Sequence, residues 1–473
     1  MEHRKPHWPL FAICALLLLG STAWAQTEIS GKVVDFATFQ PIDNASIYIQ
    51  NSTIGTVSNS DGRFLLSVPS EMQVDTLVIS SIGYKSFKTT LADFDGANDV
   101  FLEEDIAALD EVLLIAETRP KTGNDIILRA IAELSDNLPE QPYLQKVFLR
   151  HKERNKKEFK WLIESALTVY DSGYGATNRI QVNVDEMRKS YDLRDVDSLF
   201  AYSSYLRYHT NAMNVSAKKL NRDTIATASL LRAIKWNDTR VNGLNNIFKG
   251  KLNLVRNAPN SSSLFGDDML STHQFTLDTV LVENGRKLYK IKISEGKEYV
   301  GLDTPHIFNE GFHPSGWVYV YWDNYAFKKI EYELTAASQA QRRRSKSLFD
   351  TLVNHKVALT YREFEGKMYP SYFYYETPKL VQVGDRSSDA EKNEALRNKD
   401  EQFYYTVQEL LFTEIVQDPE VVEDARAGEW SSDIFVTRPY NQEFWKSYNV
   451  LLESREEEKL IGDLSRRASL FKQ

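Results

Sequence analysis

Apolar residues recur at every second position through much of this 473-residue chain, the period of β-strands with one buried face. Between Ile29 and Ala116, short runs rich in Val, Ile, Phe and Tyr alternate with clusters of Gly, Pro, Asn, Asp and Ser. That spacing predicts about seven strands joined by tight turns, the signature of a β-sandwich. In the run Arg63 to Val68, the side chains of Phe64, Leu66 and Val68 fall two apart and are expected on one buried face. Asn59-Ser60-Asp61-Gly62 just before it offers a turn in which Gly62 takes positive φ. Pro41 and Pro69 sit at run boundaries, where a missing N–H costs no ladder bond.

The pattern changes after Ala116. Glu117 to Gly123 is a polar connector. Ile126, Ile127, Ala130, Ile131 and Leu134 then lie at helical spacing, with Asn124 as the expected cap and Pro139 as the stop. From Tyr143 to about Val416 strand pairs dominate. Phe275 to Leu281 and Lys287 to Ile293 flank Asn284-Gly285, a strong hairpin signal. Trp317 to Trp322 pairs with Phe327 to Leu334, and Lys356 to Phe364 with Tyr369 to Glu376. Phe403, Tyr405, Val407, Leu411 and Ile415 form a last strand whose alternation Glu409 breaks once. Three hairpins and a long final strand predict one large antiparallel sheet. Residues 176–265 are less regular; Lys218 to Asn221, Leu230 to Lys235 and Asn245 to Leu252 are candidate helical pieces. Asp385 to Asp400 reads as an exposed loop. Near the end, Ser454 and Glu457 form a capping box for a helix with Leu460, Leu464, Ala468 and Phe471 along one side.

Several blocks carry a likeness. GKVVD (Gly31 to Asp35), Pro41, NASIYI (Asn44 to Ile49), IGTVSNSDGRF (Ile54 to Phe64), SSIGYK (Ser80 to Lys85) and LDEV (Leu109 to Val112) resemble, in this order, the carboxypeptidase-regulatory-like domain. That module is a transthyretin-like β-sandwich of exported Bacteroidetes proteins, and it often precedes the plug of TonB-dependent receptors. The remaining chain is too short for a plug plus a barrel of ~20 or more strands at ~10 residues each. LPEQPYLQKVFLR (Leu138 to Arg150) and YNQEFWKSYNVLL (Tyr440 to Leu452) are similar to segments that follow this sandwich in other exported proteins of that phylum. Gly316 to Glu333 (GWVYVYWDNYAFKKIEYE) resembles strands of the lipoprotein-carrier half-barrel class. These likenesses imply order and location and no reaction.

The fold class expected is therefore mostly β: an N-terminal transthyretin-like β-sandwich followed by a large antiparallel β domain with a few peripheral helices. The organisation expected is a signal peptide over 1–25, the sandwich over 26–116 and a linker with a short helix over 117–140. A β-rich domain, with a half-barrel as one form of it, spans 141–420, and a C-terminal tail with a helix spans 421–473. Arg4 and Lys5, the apolar run Leu10 to Gly20 and Ala23-Trp24-Ala25 make the signal, with cleavage expected between Ala25 and Gln26. Its removal takes away Cys14, the single cysteine, and a net charge of +1 (Arg4 and Lys5 against Glu2), so −9 becomes −10. Disulfides and thiol chemistry are then excluded. An acidic exported chain has no electrostatic reason to bind nucleic acid, and no later run is long enough for a membrane-spanning helix.

Candidate chemistry is sparse. Among His151, His209, His273, His306, His313 and His355, none begins H-x-x-E or H-E-x-x-H, so zinc-peptidase spacing is missing. A His306/Glu310/His313 metal set is imaginable, but Gly311, Pro314 and Gly316 favour a plain loop. Ser315 lies outside any G-x-S-x-G elbow, and no phosphate-cradling glycine motif occurs. Asp195/Asp197 and Asp267/Asp268 are acidic pairs in polar segments, and Asn59 and Asp61 are turn residues lacking a calcium series. Arg342-Arg343-Arg344 with Lys346 is a basic cluster in a polar connection. Trp317, Tyr319, Tyr321, Tyr372 and Tyr374 are the candidate ligand-facing aromatics, weighed against plain sheet packing.

The expectation is an exported, non-enzymatic envelope protein in the periplasm or on the periplasmic face of the outer membrane. No catalytic, cofactor or metal residues are assigned, and no cofactor is implied. The expected partner is another envelope protein, with lipid or glycan as further ligands. The rivals are a carrier of an apolar ligand in a half-barrel and a hydrolase with a site dispersed over residues 143–416.

Overall fold

The computed structural model describes residues 26–105, 122–302 and 311–465, except 155–158, 176–179, 191–197, 211–223, 251, 259–262, 340–341, 344–345, 347–351, 353–354, 383–400, 435 and 437. The expected signal peptide and its cleavage point after Ala25, the acidic pair Asp195/Asp197 and the loop Asp385 to Asp400 lie wholly or partly outside these residues. So do Lys218 to Asn221, His306, Glu310, Arg344, Ala468 and Phe471.

Seven strands make the N-terminal unit: β1 (Gln26–Asp35), β2 (Ser46–Ile49), β3 (Gly55–Val57), β4 (Arg63–Pro69), β5 (Thr76–Ser80), β6 (Phe87–Thr90) and β7 (Asp99–Leu102). They form two facing sheets, β4-β1-β7 and β3-β2-β5-β6. Between them Val33, Ile47, Phe64, Leu66, Leu77 and Ile79 have no exposed surface, so the alternation in β4 fell on the core face as expected. Gly62 takes φ +76° in the turn before β4. The pairing of β1 with β7 is parallel, which no local signal announced.

A two-part helix follows, α1 (Gly123–Ala132) and α2 (Leu134–Asn137). Thr122, not Asn124, caps it, its hydroxyl accepting from Asp125 N at 3.1 Å. Asn124 instead accepts from Phe275 N at 2.8 Å and ties the helix to the sheet. The helix needed a cap one turn before Ile126, and an amide already bonded to a strand cannot supply it.

The main domain is one ten-stranded antiparallel sheet. Its strands are β8 (Tyr143–Arg154), β9 (Phe159–Asp171), β10 (Ile180–Lys189), β11 (His273–Glu283), β12 (Arg286–Glu295), β13 (Phe312–Tyr321), β14 (Phe327–Ala336), β15 (His355–Phe364), β16 (Lys367–Gln382) and β17 (Glu401–Val416). The order is β10-β9-β8-β17-β16-β15-β14-β13-β12-β11. The hairpins β11–β12, β13–β14 and β15–β16 follow the chain. In two of them both turn residues sit at positive φ, Asn284 with Gly285 and Glu365 with Gly366, the geometry that matches strand twist. β17 then returns to pair with β8, joining Leu410 to Leu149 across 261 residues of sequence.

Five more helices belong to the same body: α3 (Ser198–Thr210), α4 (Thr227–Asn242), α5 (Leu244–Lys249), α6 (Met269–Thr272) and α7 (Pro419–Ala427). Two end the chain, α8 (Gln442–Ser447) and α9 (Arg455–Ser465). The capping box of α9 forms, Ser454 N donating to Glu457 Oε2 at 2.8 Å.

The sheet's two faces differ. On one, Val147, Leu149, Leu167, Leu410 and Phe412 join a single core with Ile126 and Ile127 of α1 and Ile247 and Phe248 of α5. On the other, Phe148, Ala166, Tyr372 and Leu411 pack against Val57 of the sandwich and against Trp445 and Leu451 of the tail.

Candidate functional site

The second face is where the chain brings distant residues together. Residues two apart on a strand share a face, so β16 presents Tyr372, Tyr374 and Glu376 there, and β8 presents Arg150, Lys152 and Arg154. β17 adds Val407 and Glu409. Glu409, the residue that broke the alternation, stands opposite Lys152, with Nζ to Oε2 at 3.0 Å. Tyr372 donates to Glu409 Oε1 at 3.1 Å and Tyr374 donates to Glu376 Oε2 at 2.8 Å.

Beneath this row lies a buried ion network. Arg150 donates through Nε to Glu164 Oε1 at 2.9 Å, and Arg188 to Glu164 Oε2 at 2.6 Å. The Arg150 side chain is 2% exposed and that of Glu164 0%. Glu457 of α9 joins the network through Lys152 and Arg150. Burial works against its ionisation, but these two cations hold its carboxyl below the ordinary carboxylate range.

The tail staples the sandwich over this face. Asn449 accepts from Ser67 N at 2.7 Å and donates to Ser67 O at 3.1 Å. It thereby occupies the open edge of β4. Glu453 O accepts from Asn59 Nδ2 at 3.1 Å and from Arg63 Nη2 at 3.0 Å. Asp61 accepts from Arg455 N at 2.7 Å. Asn59 and Asp61 are thus turn residues that also anchor the tail. On the sheet side Arg362 reaches Thr53 O. A Cβ on Gly55 would lie 2.7 Å from the Arg362 guanidinium and 2.9 Å from Ile47 O, a backbone atom fixed in β2.

Sandwich, sheet and tail do not close completely. A cavity of about 350 Å³ remains between them, at the lower end of the ~300–1,000 Å³ of small-ligand pockets. Its walls come from sandwich turns (Asp43, Asn44, Ser58 to Ser60), sheet residues (Lys152, Tyr372, Tyr374, Glu376, Glu409) and tail residues (Leu451 to Glu457). The surrounding walls push the Asp43 carboxyl above its ordinary range, against the pull of Lys329. A second cavity of about 50 Å³ lies on the apolar face near Phe248, Tyr361 and Phe373. There Arg256 pairs with Asp171 at 2.9 Å. It is far below ligand size.

The candidate aromatics divide. Tyr372 and Tyr374 line the seam cavity. Trp317 carries Lys290 over its ring at 4.1 Å, Tyr319 donates to Glu331 at 3.3 Å, and Tyr321 donates to Glu283 at 3.1 Å beneath Arg286. None of these three lines the seam cavity. Among the described residues no group of three or more His, Cys, Asp and Glu is placed to hold a metal. His313 sits on β13 beside Glu295, and Asp267 and Asp268 are exposed. Arg342 and Arg343 are spent on Ala337 O and Gln339. Sequence reasoning did not find Asp43, Lys152 or Glu376, and read Glu457 as a capping residue alone. The break at Glu409 was the available signal, since a carboxylate on a covered strand face needs a partner.

The comparisons with known proteins bear on the sandwich. Residues 29–114 match the CarboxypepD_reg-like domain family. The N-terminal unit is thus a carboxypeptidase-regulatory-like module, of which residues 29–105 are described. A stretch of 129 residues is 31% identical to the TonB-dependent receptor SusC of Bacteroides thetaiotaomicron, covering 27% of this chain and 12% of that protein. The chain therefore spans only a small part of the curated relative it matches. Among solved structures, a LolA superfamily protein of Nitrosomonas europaea aligns over 64% of this chain and 97% of its own, at 10% identity and a TM-score of 0.21.

Proposed function

We propose that this is a non-enzymatic protein of the cell envelope that binds a small polar ligand in the seam between its sandwich and its sheet. The envelope assignment rests on the CarboxypepD_reg-like match and on the similarity to a TonB-dependent receptor. The signal-like pattern of the first 25 residues supports it. The binding assignment rests on one observation, the cavity of about 350 Å³ walled by three parts of the chain far apart in sequence. Such a wall exists only while the sandwich is docked, so a ligand that fills it also strengthens docking.

The lining favours holding over reacting. No histidine lines the cavity, and the Lys152 ammonium is committed to Glu409 and Glu457. Thermal melts of the full chain against sugars, amino sugars, amino acids and small amines test the reading. A concentration-dependent rise in Tm is expected for at least one class and is lost in Tyr374→Ala. No rise with any class would sink the binding assignment, and turnover of a bound glycoside would sink the non-enzymatic one. Envelope fractionation tests the location, and recovery in the cytoplasm would overturn it.

A further inference from the structure

We infer that the ligand of the seam cavity is a small organic cation, an ammonium group on a compact frame; this rests on the seam being the binding site. The inference starts from the charges that face the cavity. Asp43, Glu376, Glu409 and Glu457 are four carboxylates and Lys152 and Arg154 two cations, leaving −2 in a partly desolvated space. Lys152 is shared between Glu409 and Glu457, and Arg150 pairs with Glu457 from behind the wall.

The hydrogen-bonding balance points the same way. Tyr372 spends its hydroxyl proton on Glu409, and Tyr374 spends its own on Glu376. The wall is therefore rich in acceptors, and the group that completes it must donate. Asp43, an exposed residue at the cavity's rim, accepts from its neighbour Asn44 at 2.9 Å. An incoming positive charge would favour its ionised form, as Lys329 already does in part. Tyr372 and Tyr374 also line the cavity, and aromatic rings attract ammonium groups.

A metal ion is the other cation that carboxylates attract. It would need three or more ligating side chains held together, and the described residues offer no such group. An organic ammonium needs only scattered acceptors and an aromatic wall.

Calorimetric titration of the full chain with choline, glucosamine, glucose and glucuronate separates charge from shape. The amines are expected to bind, glucose about tenfold more weakly than glucosamine, and glucuronate not at all. The double substitution Asp43→Asn with Glu376→Gln should remove that tenfold preference, with a single cooperative melt of the free variant showing that its fold is kept. Equal affinity for glucose and glucosamine would overturn the cation inference and leave the seam reading standing. Amine affinity unchanged in the double variant would place the amine elsewhere and overturn the inference too. Failure of both amines to bind would overturn the cation inference, and the seam reading falls as well if no class moves the melting temperature.

Discussion

The two faces of the main sheet are closed in opposite ways. One is closed by apolar side chains of α1, α5 and the loops around them. The other is closed by Phe148, Tyr372 and Leu411 wrapped around Arg150, Lys152, Glu164 and Glu409. Apolar burial is strong but undirected, and it tolerates some sliding and repacking. Hydrogen-bonded charge pairs accept only one geometry. The apolar face thus accounts for the sheet's being buried at all. The charged face accounts for the sandwich and tail sitting in one orientation, with the cavity as what remains.

The sharpest way to break this contrast is to remove one charge. Glu164→Ala leaves Arg150 and Arg188 without their shared carboxylate in a fully buried position. The expected cost is roughly 3–5 kcal/mol, read from urea midpoints. On the apolar face the volume-conserving Leu410→Met should cost under about 1.5 kcal/mol. If Glu164→Ala costs no more than Leu410→Met, the network does not specify the docked arrangement.

Acid should act through both faces, in different pH windows. His273 and His355 are 1% and 2% exposed, and burial pushes each from 6.5 down to about 4. His273 bonds Tyr332 at 2.7 Å and His355 bonds Thr377 at 3.0 Å. The folded protein keeps both neutral while the unfolded chain protonates them. Their stabilisation is complete above pH 6.5 and falls as pH drops from 6.5 to 4, by up to about 3 kcal/mol each. Glu457, with its lowered carboxyl, loses its contribution only below the ordinary carboxylate value of 4.5. Urea midpoints between pH 7 and 4 should fall, and His355→Gln should flatten the curve. A flat profile in the unsubstituted protein would show that these rings are not held neutral.

How far the chain could be read from its sequence follows the range of each interaction. The hairpin turn Asn284-Gly285 was legible because positive φ has a local residue signature. So was the core face of β4, and so was the capping box of Ser454 and Glu457. The pairing of β17 with β8 was not, since it joins strands some 260 residues apart and leaves no local trace. The same holds for the seam. Tyr372 and Tyr374 were legible as strand aromatics and Glu409 as an interruption, but Asp43 and Lys152 reach them only by docking. Asn124 misled because its amide serves β11 rather than its own helix.

Asn449 carries the smallest effect and isolates docking from folding. Its amide makes both hydrogen bonds of a missing strand partner to Ser67, on an edge of β4 that β1 leaves open. Asn449→Ala removes both bonds and exposes the Ser67 backbone groups to water, which can replace them in part. The cost expected is about 1–2 kcal/mol, with the apolar core of the sheet untouched. Hydrogen exchange should then quicken in β4 and around Asn59, while β8 and β9 stay protected. Uniform quickening across both units would mean that sandwich and sheet unfold as one, and that the charged face contributes to folding rather than to docking alone.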